Sequence, residues 1–368
     1  MRIALVHPTY WPEVRRGSER VVHDLGVTLA GRGHEVTVIT SHRGPATTST
    51  EEGMRVIRAR RPPDPPGSRA YEYHLVNGPN VAFRLRDGDY DVVHAFFPLD
   101  AWVAVQVRRR GGPPVVATLH GIPTREYLVA RRHRLEMLCA VAAGADECTV
   151  LSEAAADPFR RYLLREPRVL PPGVLTEAFD RGGATRQSAT FFCPASLGDP
   201  RKRGELLIGA FELVRRRMPQ ARLLLAGGRD PVMSPVQLAI TAGVEMIEAD
   251  STTALALAYA SSSATVLASI EEAFGLVLVE SLAAGTPVVA DRSGAGPEIV
   301  TDDRLGRLFD SDDAGDLAQA MEQALALGAH PDTEARCRER AAAYDWRTIV
   351  TDYEAVYESV GAPVSRGG

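Results

Sequence analysis

Short apolar runs alternate with longer amphipathic stretches along the first half of the chain. The runs Ile3–His7, Glu35–Thr40, Met54–Arg58, Asp91–Ala95, Val115–Leu119, Glu147–Leu151 and Arg168–Leu170 predict strands. Between them, segments such as Ser18–Ala30 and Asp100–Arg109 place apolar residues at helical spacing. Strands that read as continuous apolar runs, separated by helices, predict a parallel sheet covered on both faces. The proline-rich stretch Arg61–Arg69, RPPDPPGSR, reads as a surface loop.

The alternation breaks at Leu170–Gly183, LPPGVLTEAFDRGG, a turn-rich segment with little periodicity. It then restarts. Thr190–Pro194, Ala221–Ala226, Val244–Ile247, Ala264–Leu267, Thr286–Ala290 and Gly306–Phe309 predict strands, with helices such as Arg203–Arg217 and Leu276–Ala284 between them. The last 50 or so residues predict helix only, and Asp345–Val360 shows helical spacing with Asp345 as its N-cap. The expected fold is therefore α/β, with two Rossmann-like parallel-sheet domains facing across a cleft. Residues 1–172 form the first, 173–188 a linker, 189–344 the second, and 345–368 a closing helix and tail. Ligands of open α/β sheets bind at the carboxyl ends of the strands.

Composition narrows the class. The 368 residues are 45% hydrophobic and 24% charged, the profile of a globular protein. No stretch reaches the roughly 20 apolar residues that span a bilayer. The opening MRIALVHPTYWP runs into a strand without the apolar core of a signal peptide, and the four scattered cysteines suit a reducing compartment, so a cytoplasmic location is expected. The stretch 1–170 holds 24 arginines against 19 acids, a surplus of five, and the rest carries a deficit of ten. A basic half suits an anionic partner, such as a phosphorylated acceptor or the inner face of a membrane met peripherally, as well as plain solvated helix faces. Nucleic acid is not expected, because no aromatics interleave with the arginine clusters. Lys202 is the sole lysine.

Five motifs carry the candidate chemistry. Pro12–Arg20, PEVRRGSER, puts Gly17 where the first strand turns into a helix; free amides there attract phosphate, although Gly17 serves equally as a simple turn residue. Cys193–Gly204, CPASLGDPRKRG, puts Arg201, Lys202 and Arg203 in the first turn of a helix, an arrangement a bound diphosphate would favour. Glu271–Pro287, EEAFGLVLVESLAAGTP, spaces Glu272 and Glu280 eight apart, with Phe274, Gly275 and Leu276 opening an apolar helix and Gly285 ending it. A carboxylate carried inward on such a helix needs donors, which the two hydroxyls of a ribose would supply. Ser293–Glu298, SGAGPE, offers further amides ahead of a short helix. His120 ends the buried strand Val115–Leu119, placed either for the cleft or as a structural cap.

Across nearly its whole length the chain resembles the retaining glycosyltransferase family 4, of GT-B fold. The resemblance rests on ERVVHDLGVTLAGRGHEVTVIT, TLHG, PPGV, EAFGLVLVESLAAGTPVVA and DWRTIVTDYEAVY. It implies that a sugar passes from a nucleotide diphosphate donor (UDP- or GDP-linked) to an acceptor hydroxyl. By this resemblance Glu280 holds the ribose and Glu272 lies beside the donor sugar and phosphates. His120 is near the sugar and Gly17 faces the β-phosphate. Ser18, Ser196, Lys202, Arg203, Gly227, Phe274, Gly275 and Leu276 complete the expected donor site. Tyr10, Trp11, Glu19 and His94 are expected by position to line the acceptor pocket. One departure stands out. The family's Gly-Arg pair reads Ala195–Ser196 here, so Lys202 or Arg203 is expected to take the place of the usual lysine, and Ser196 supplies no charge. No Asp-x-Asp motif sits where it would hold a divalent metal, so no metal or resident cofactor is expected. The closing helix is expected to cross back to the first domain. A non-catalytic nucleotide-sugar-binding homologue and a sugar-nucleotide epimerase of the same architecture are the alternatives.

Overall fold

The structure is a computed structural model that describes residues 1–61, 77–130, 132–181, 185–195, 197, 199–226, 242–310 and 312–361. The chain divides into two compact units. One runs from Met1 to Gly173 and regains the chain from Trp346 onward; the other is Val174–Asp345.

In the first unit the elements are β1 (Arg2–Val6), α1 (Gly17–Gly31), β2 (Glu35–His42), β3 (Thr47–Glu51), β4 (Met54–Arg60), α2 (Asn77–Asp87), β5 (Val92–Ala95), α3 (Pro98–Arg108), β6 (Val115–Leu119), α4 (Arg125–Val129), α5 (Arg132–Gly144), β7 (Glu147–Val150), α6 (Glu153–Leu163) and β8 (Arg168–Val169). Among the described residues the strand order is β3-β4-β2-β1-β5-β6-β7-β8. Every pairing is parallel except that of β3 with β4. The sequence pattern misses β3 because TTSTE has no apolar face; it is an exposed edge strand. The core packs Val6, Val93, Val115 and Val150 against Val103, Ala104, Leu138 and Phe159, which covers β-branched strands with helices as the pattern requires.

The second unit holds β9 (Thr190–Cys193), α7 (Gly204–Arg217), β10 (Arg222–Ala226), β11 (Val244–Ile247), α8 (Thr252–Ser261), β12 (Ala264–Leu267), α9 (Leu276–Ala283), β13 (Val288–Asp291), α10 (Gly296–Ile299), β14 (Gly306–Phe309), α11 (Ala314–Gly328) and α12 (Thr333–Ala342). Its described strands run β11-β10-β9-β12-β13-β14, all parallel. In both sheets the strand order reverses beside the first strand, at β1/β5 and at β9/β12. These switch points open a crevice at the carboxyl edge of each sheet.

The last helix, α13 (Trp346–Gly361), packs on the first unit, as the sequence predicts. Its Glu354 accepts hydrogen bonds from Arg32 at 2.7 and 2.8 Å and lies 2.9 Å from the His34 ring. Trp346 is fully buried, and a Cβ on Gly173 would come within 2.5 Å of its indole ring. The glycine of the PPGV motif thus lets the indole seat against the backbone. Asp345, read as the N-cap, directs its carboxylate to the hydroxyl of Thr176. Most of the proline-rich stretch 61–69 lies outside the described residues; Arg61 itself is buried and paired with Glu13 at 2.9 Å.

Candidate active site

In the second unit, three sequence motifs converge beyond the ends of β9 and β12. The basic cluster does not sit in the first turn of a helix, contrary to the sequence expectation. Pro200–Lys202 form a separate 3-10 turn, capped when Asp199 accepts from the Arg201 amide at 3.0 Å. Arg203 then takes a left-handed conformation (φ 47°), and α7 begins only at Gly204. Lys202 Nζ reaches Glu272 Oε2 at 2.7 Å. Arg203 turns inward instead: it donates to the Ala268 carbonyl at 2.6 Å and pairs with Asp291 and Asp312. Its guanidinium is committed within the protein, whereas Lys202 remains partly exposed.

The loop bearing Glu272 is held from two sides. The Ile270 amide donates to the Arg201 carbonyl at 2.9 Å, which ties it to the basic turn. The SGAGPE segment backs it: Ala295 N donates to Glu272 O at 2.9 Å, and Ser293 Oγ accepts from Glu271 N at 3.1 Å. Gly294 and Glu272 pair as an isolated parallel bridge. Ser293 N in turn donates to Asp291 at 2.6 Å, and Asp291 also holds Arg203. The fourth motif therefore backs the third.

Helix α9 starts from Gly275 in a left-handed conformation (φ 88°) and is stopped at Gly285 (φ 81°), where the Thr286 amide reaches back to Ser281 O and Gly285 N to Leu282 O. Glu280 is buried, as its place on an apolar helix demands, and accepts a hydrogen bond from the Tyr259 hydroxyl at 2.8 Å. Tyr259 is itself fixed by edge contacts with Phe179 and Phe192. Phe274 is buried against Tyr344, while Leu276 is half-buried. Ser196 and Gly227 lie outside the described residues.

In the first unit a second cluster forms where β1 and β5 end. Phe96 N donates to Val6 O and His7 N to Ile39 O, so the chain leaves both strands side by side. His7 is buried and its ring lies edge-on to Phe97. Helix α1 begins at the exposed Gly17, and its N-cap residue Arg16 makes no side-chain cap hydrogen bond. Glu19, in that turn, is buried and accepts from Thr9 at 2.7 Å and Ser18 at 2.8 Å. Burial alone would raise its carboxyl; the His7 charge and these two hydroxyls together hold it below its usual range. His120 follows β6, with its ring 5.6 Å from Phe96 and its buried Nε2 lacking a hydrogen-bond partner. Burial, reinforced by the nearby His7 charge and opposed by Glu19, pushes its imidazole down to about 3. It is a neutral ring with a free nitrogen.

Three of the four residues expected to line the acceptor pocket are buried. Tyr10 is buried, with its hydroxyl on the Met54 sulfur at 4.0 Å and Arg58 over its ring. His94 is fully buried and bonded at both nitrogens. Glu19 is buried as well. Of the four, only Trp11 keeps exposed surface, and Arg15 and Arg20 lie 5.7 and 6.0 Å from its ring centre. The sequence reading placed these residues by position on the chain, which does not show which way a side chain turns at a strand end. It also missed His7 and Tyr259. His7 had a legible signal, a histidine closing the first apolar strand. Tyr259 had none, because its partner Glu280 lies on a different helix, several turns of chain further on.

The comparisons agree with this architecture. Residues 15–178 match the model of Glycosyltransferase Family 4, and residues 179–344 that of Glycosyl transferases group 1. The chain is 28% identical to a phosphatidyl-myo-inositol mannosyltransferase of Mycolicibacterium smegmatis, over 98% of this chain and 94% of that one. It is 30% identical to a GDP-mannose-dependent alpha-(1-6)-phosphatidylinositol monomannoside mannosyltransferase of the same organism, over 68% and 74%. Its fold is similar to that of sucrose-phosphate synthase from Thermosynechococcus elongatus, with TM-score 0.83, 25% identity and coverage of 98% and 99%. The chain belongs to glycosyltransferase family 4 and is a glycosyltransferase of GT-B fold.

Proposed function

We propose that this enzyme transfers a hexose, with retention, from a UDP- or GDP-sugar to a hydroxyl of a polyol acceptor carrying phosphate or a lipid. The observation that carries this reading is Lys202 held on Glu272 at 2.7 Å, on a loop that leads directly into the helix of the buried Glu280. Lys202 would meet the diphosphate, Glu280 the ribose, and Glu272 the donor sugar. Arg203 serves this site by bracing the turn through Asp291 and Ala268. In the first unit, the first-turn amides at Gly17 and Ser18 would face the β-phosphate, and the free nitrogen of His120 would meet the sugar.

As the anomeric carbon–phosphate oxygen bond breaks, negative charge collects on the leaving diphosphate. A fixed ammonium and aimed amides stabilise that charge. The acceptor oxygen bonds to the anomeric carbon on the same face, and its proton passes to the leaving phosphate oxygen. Relatives named for phosphatidyl-myo-inositol and GDP-mannose support the acceptor and donor classes, and the arginine surplus of the N-terminal half suits a phosphate. No described helix is long and apolar enough to cross a membrane, so contact with a lipid acceptor would be peripheral.

The test is to incubate the enzyme with a panel of UDP- and GDP-sugars and with myo-inositol, inositol phosphate and phosphatidylinositol. Products are weighed by mass spectrometry and the anomeric configuration is read by NMR. Release of UDP or GDP with a retained anomer on an inositol hydroxyl is expected. An inverted product, or transfer to none of these acceptors, overturns the reading.

A further inference from the structure

His94, expected by position at the acceptor pocket, is held at both ring nitrogens. It is fully buried in β5. Its Nδ1 lies 2.7 Å from the Tyr357 hydroxyl on α13, and its Nε2 lies 2.5 Å from Thr118 Oγ1 on β6. Thr118 Oγ1 continues the chain to Thr149 Oγ1 on β7 at 2.5 Å. A neutral imidazole donates from one nitrogen and accepts at the other, so the four groups share one direction of hydrogen bonding that fixes the ring.

The face of that ring is used too. Phe96 lies on it with centroids 3.9 Å apart and planes 30° from parallel, and the Phe96 ring is 5.6 Å from His120. Phe96 is buried and cannot retreat toward solvent. A tilt of His94 therefore meets Phe96, and through it His120, whose Nε2 has no hydrogen bond of its own to hold it. The other end of the relay is Tyr357, on the helix that resumes the first unit directly after the second unit ends at Asp345.

We propose that His94 is a positioning residue for sugar transfer, and that it carries the seating of the C-terminal helix through Phe96 to the His120 ring. This rests on the reading that His120 acts in the transfer. Y357F removes one hydroxyl at the helix end of the relay, and F96L removes the ring between the two histidines. T118V breaks the relay at the other ring nitrogen of His94 and replaces Y357F should that variant fail to accumulate.

In the full-length enzyme labelled with 15N-histidine, Y357F and F96L should each shift the His120 ring resonances. Each should lower kcat by about threefold or more with donor KM changed less than about twofold, and the double variant should fall no further than the worse single one. Unchanged His120 resonances, or an unchanged kcat beside a lowered melting temperature, would show that His94 only stabilises the fold and would overturn the proposal. H120A separates the two levels. Wild-type turnover in H120A defeats the role given to His120. An inactive H120A beside a silent Y357F defeats only the relay.

Discussion

Lys202 Nζ sits 2.7 Å from Glu272 Oε2, joining the only lysine of the chain to the first carboxylate of the spaced pair. The two are far apart in sequence and are brought together because β9 and β12 are neighbours, each ending at the same edge of one sheet.

The pair sets the first expectation. K202A removes the ammonium that would meet the leaving diphosphate, and it should lower kcat/KM for the nucleotide sugar by at least about tenfold. K202R keeps the charge but not the shape and should recover part of the loss. Steady-state kinetics decide it; donor turnover like that of wild type in K202A would remove Lys202 from the site.

Glu280 makes a second case. Its carboxylate is buried with the Tyr259 hydroxyl at 2.8 Å, so E280Q keeps the shape and loses the charge. Affinity for UDP or GDP should fall by about tenfold by calorimetry, because hydrogen bonds from sugar hydroxyls to a carboxylate are stronger than to an amide. Y259F, which loses one hydrogen bond to Glu280, should lower stability by about 1–2 kcal/mol in urea denaturation.

Gly294 tests the backing of the loop. Its φ is +74°, and a Cβ there would lie 2.5 Å from the Glu272 carbonyl oxygen and 2.8 Å from its amide. Neither backbone atom can move aside without breaking the bridge. G294A should destabilise the protein by roughly 1–3 kcal/mol and reduce donor turnover as well. A variant with unaltered melting temperature and activity would show that the loop tolerates displacement.

A fourth expectation concerns pH. Burial depresses the His120 imidazole from 6.5 to about 3. Between those values the unfolded chain binds a proton that the folded one refuses, so this residue makes stability fall as pH drops through the window. H120Q removes that proton. Urea midpoints at about pH 7.5 and about pH 5 should show the variant losing less stability on acidification than wild type. Equal losses would mean that His120 is protonated in the fold.

Much of the first unit and most of the second are legible in the sequence alone. Apolar runs such as ALV and VVATL are buried on both faces and carry their signal locally. Thirteen strands were expected, and each appears close to its place. The fourteenth, β3, is polar and takes its structure from pairing with β4, which no local pattern records. The spaced glutamates are legible because the helix carrying Glu280 is apolar apart from Ser281. The state of Arg203 was not, because Asp291, Asp312 and Ala268 lie on distant segments.

The amino-acid sequence by itself determined the two α/β halves, the closing helix and the residue types of the candidate site. These follow from periodicity and from short motifs, where the relevant forces act between near neighbours. Tertiary structure alone decided that Lys202 faces Glu272 while Arg203 turns inward, that Gly294 props the glutamate loop, and that His94 and Tyr10 are buried. Those outcomes depend on which strand lies beside which and on where each side chain points as it leaves the sheet. They are contacts between distant segments, fixed only when the sheets close-pack with their helices.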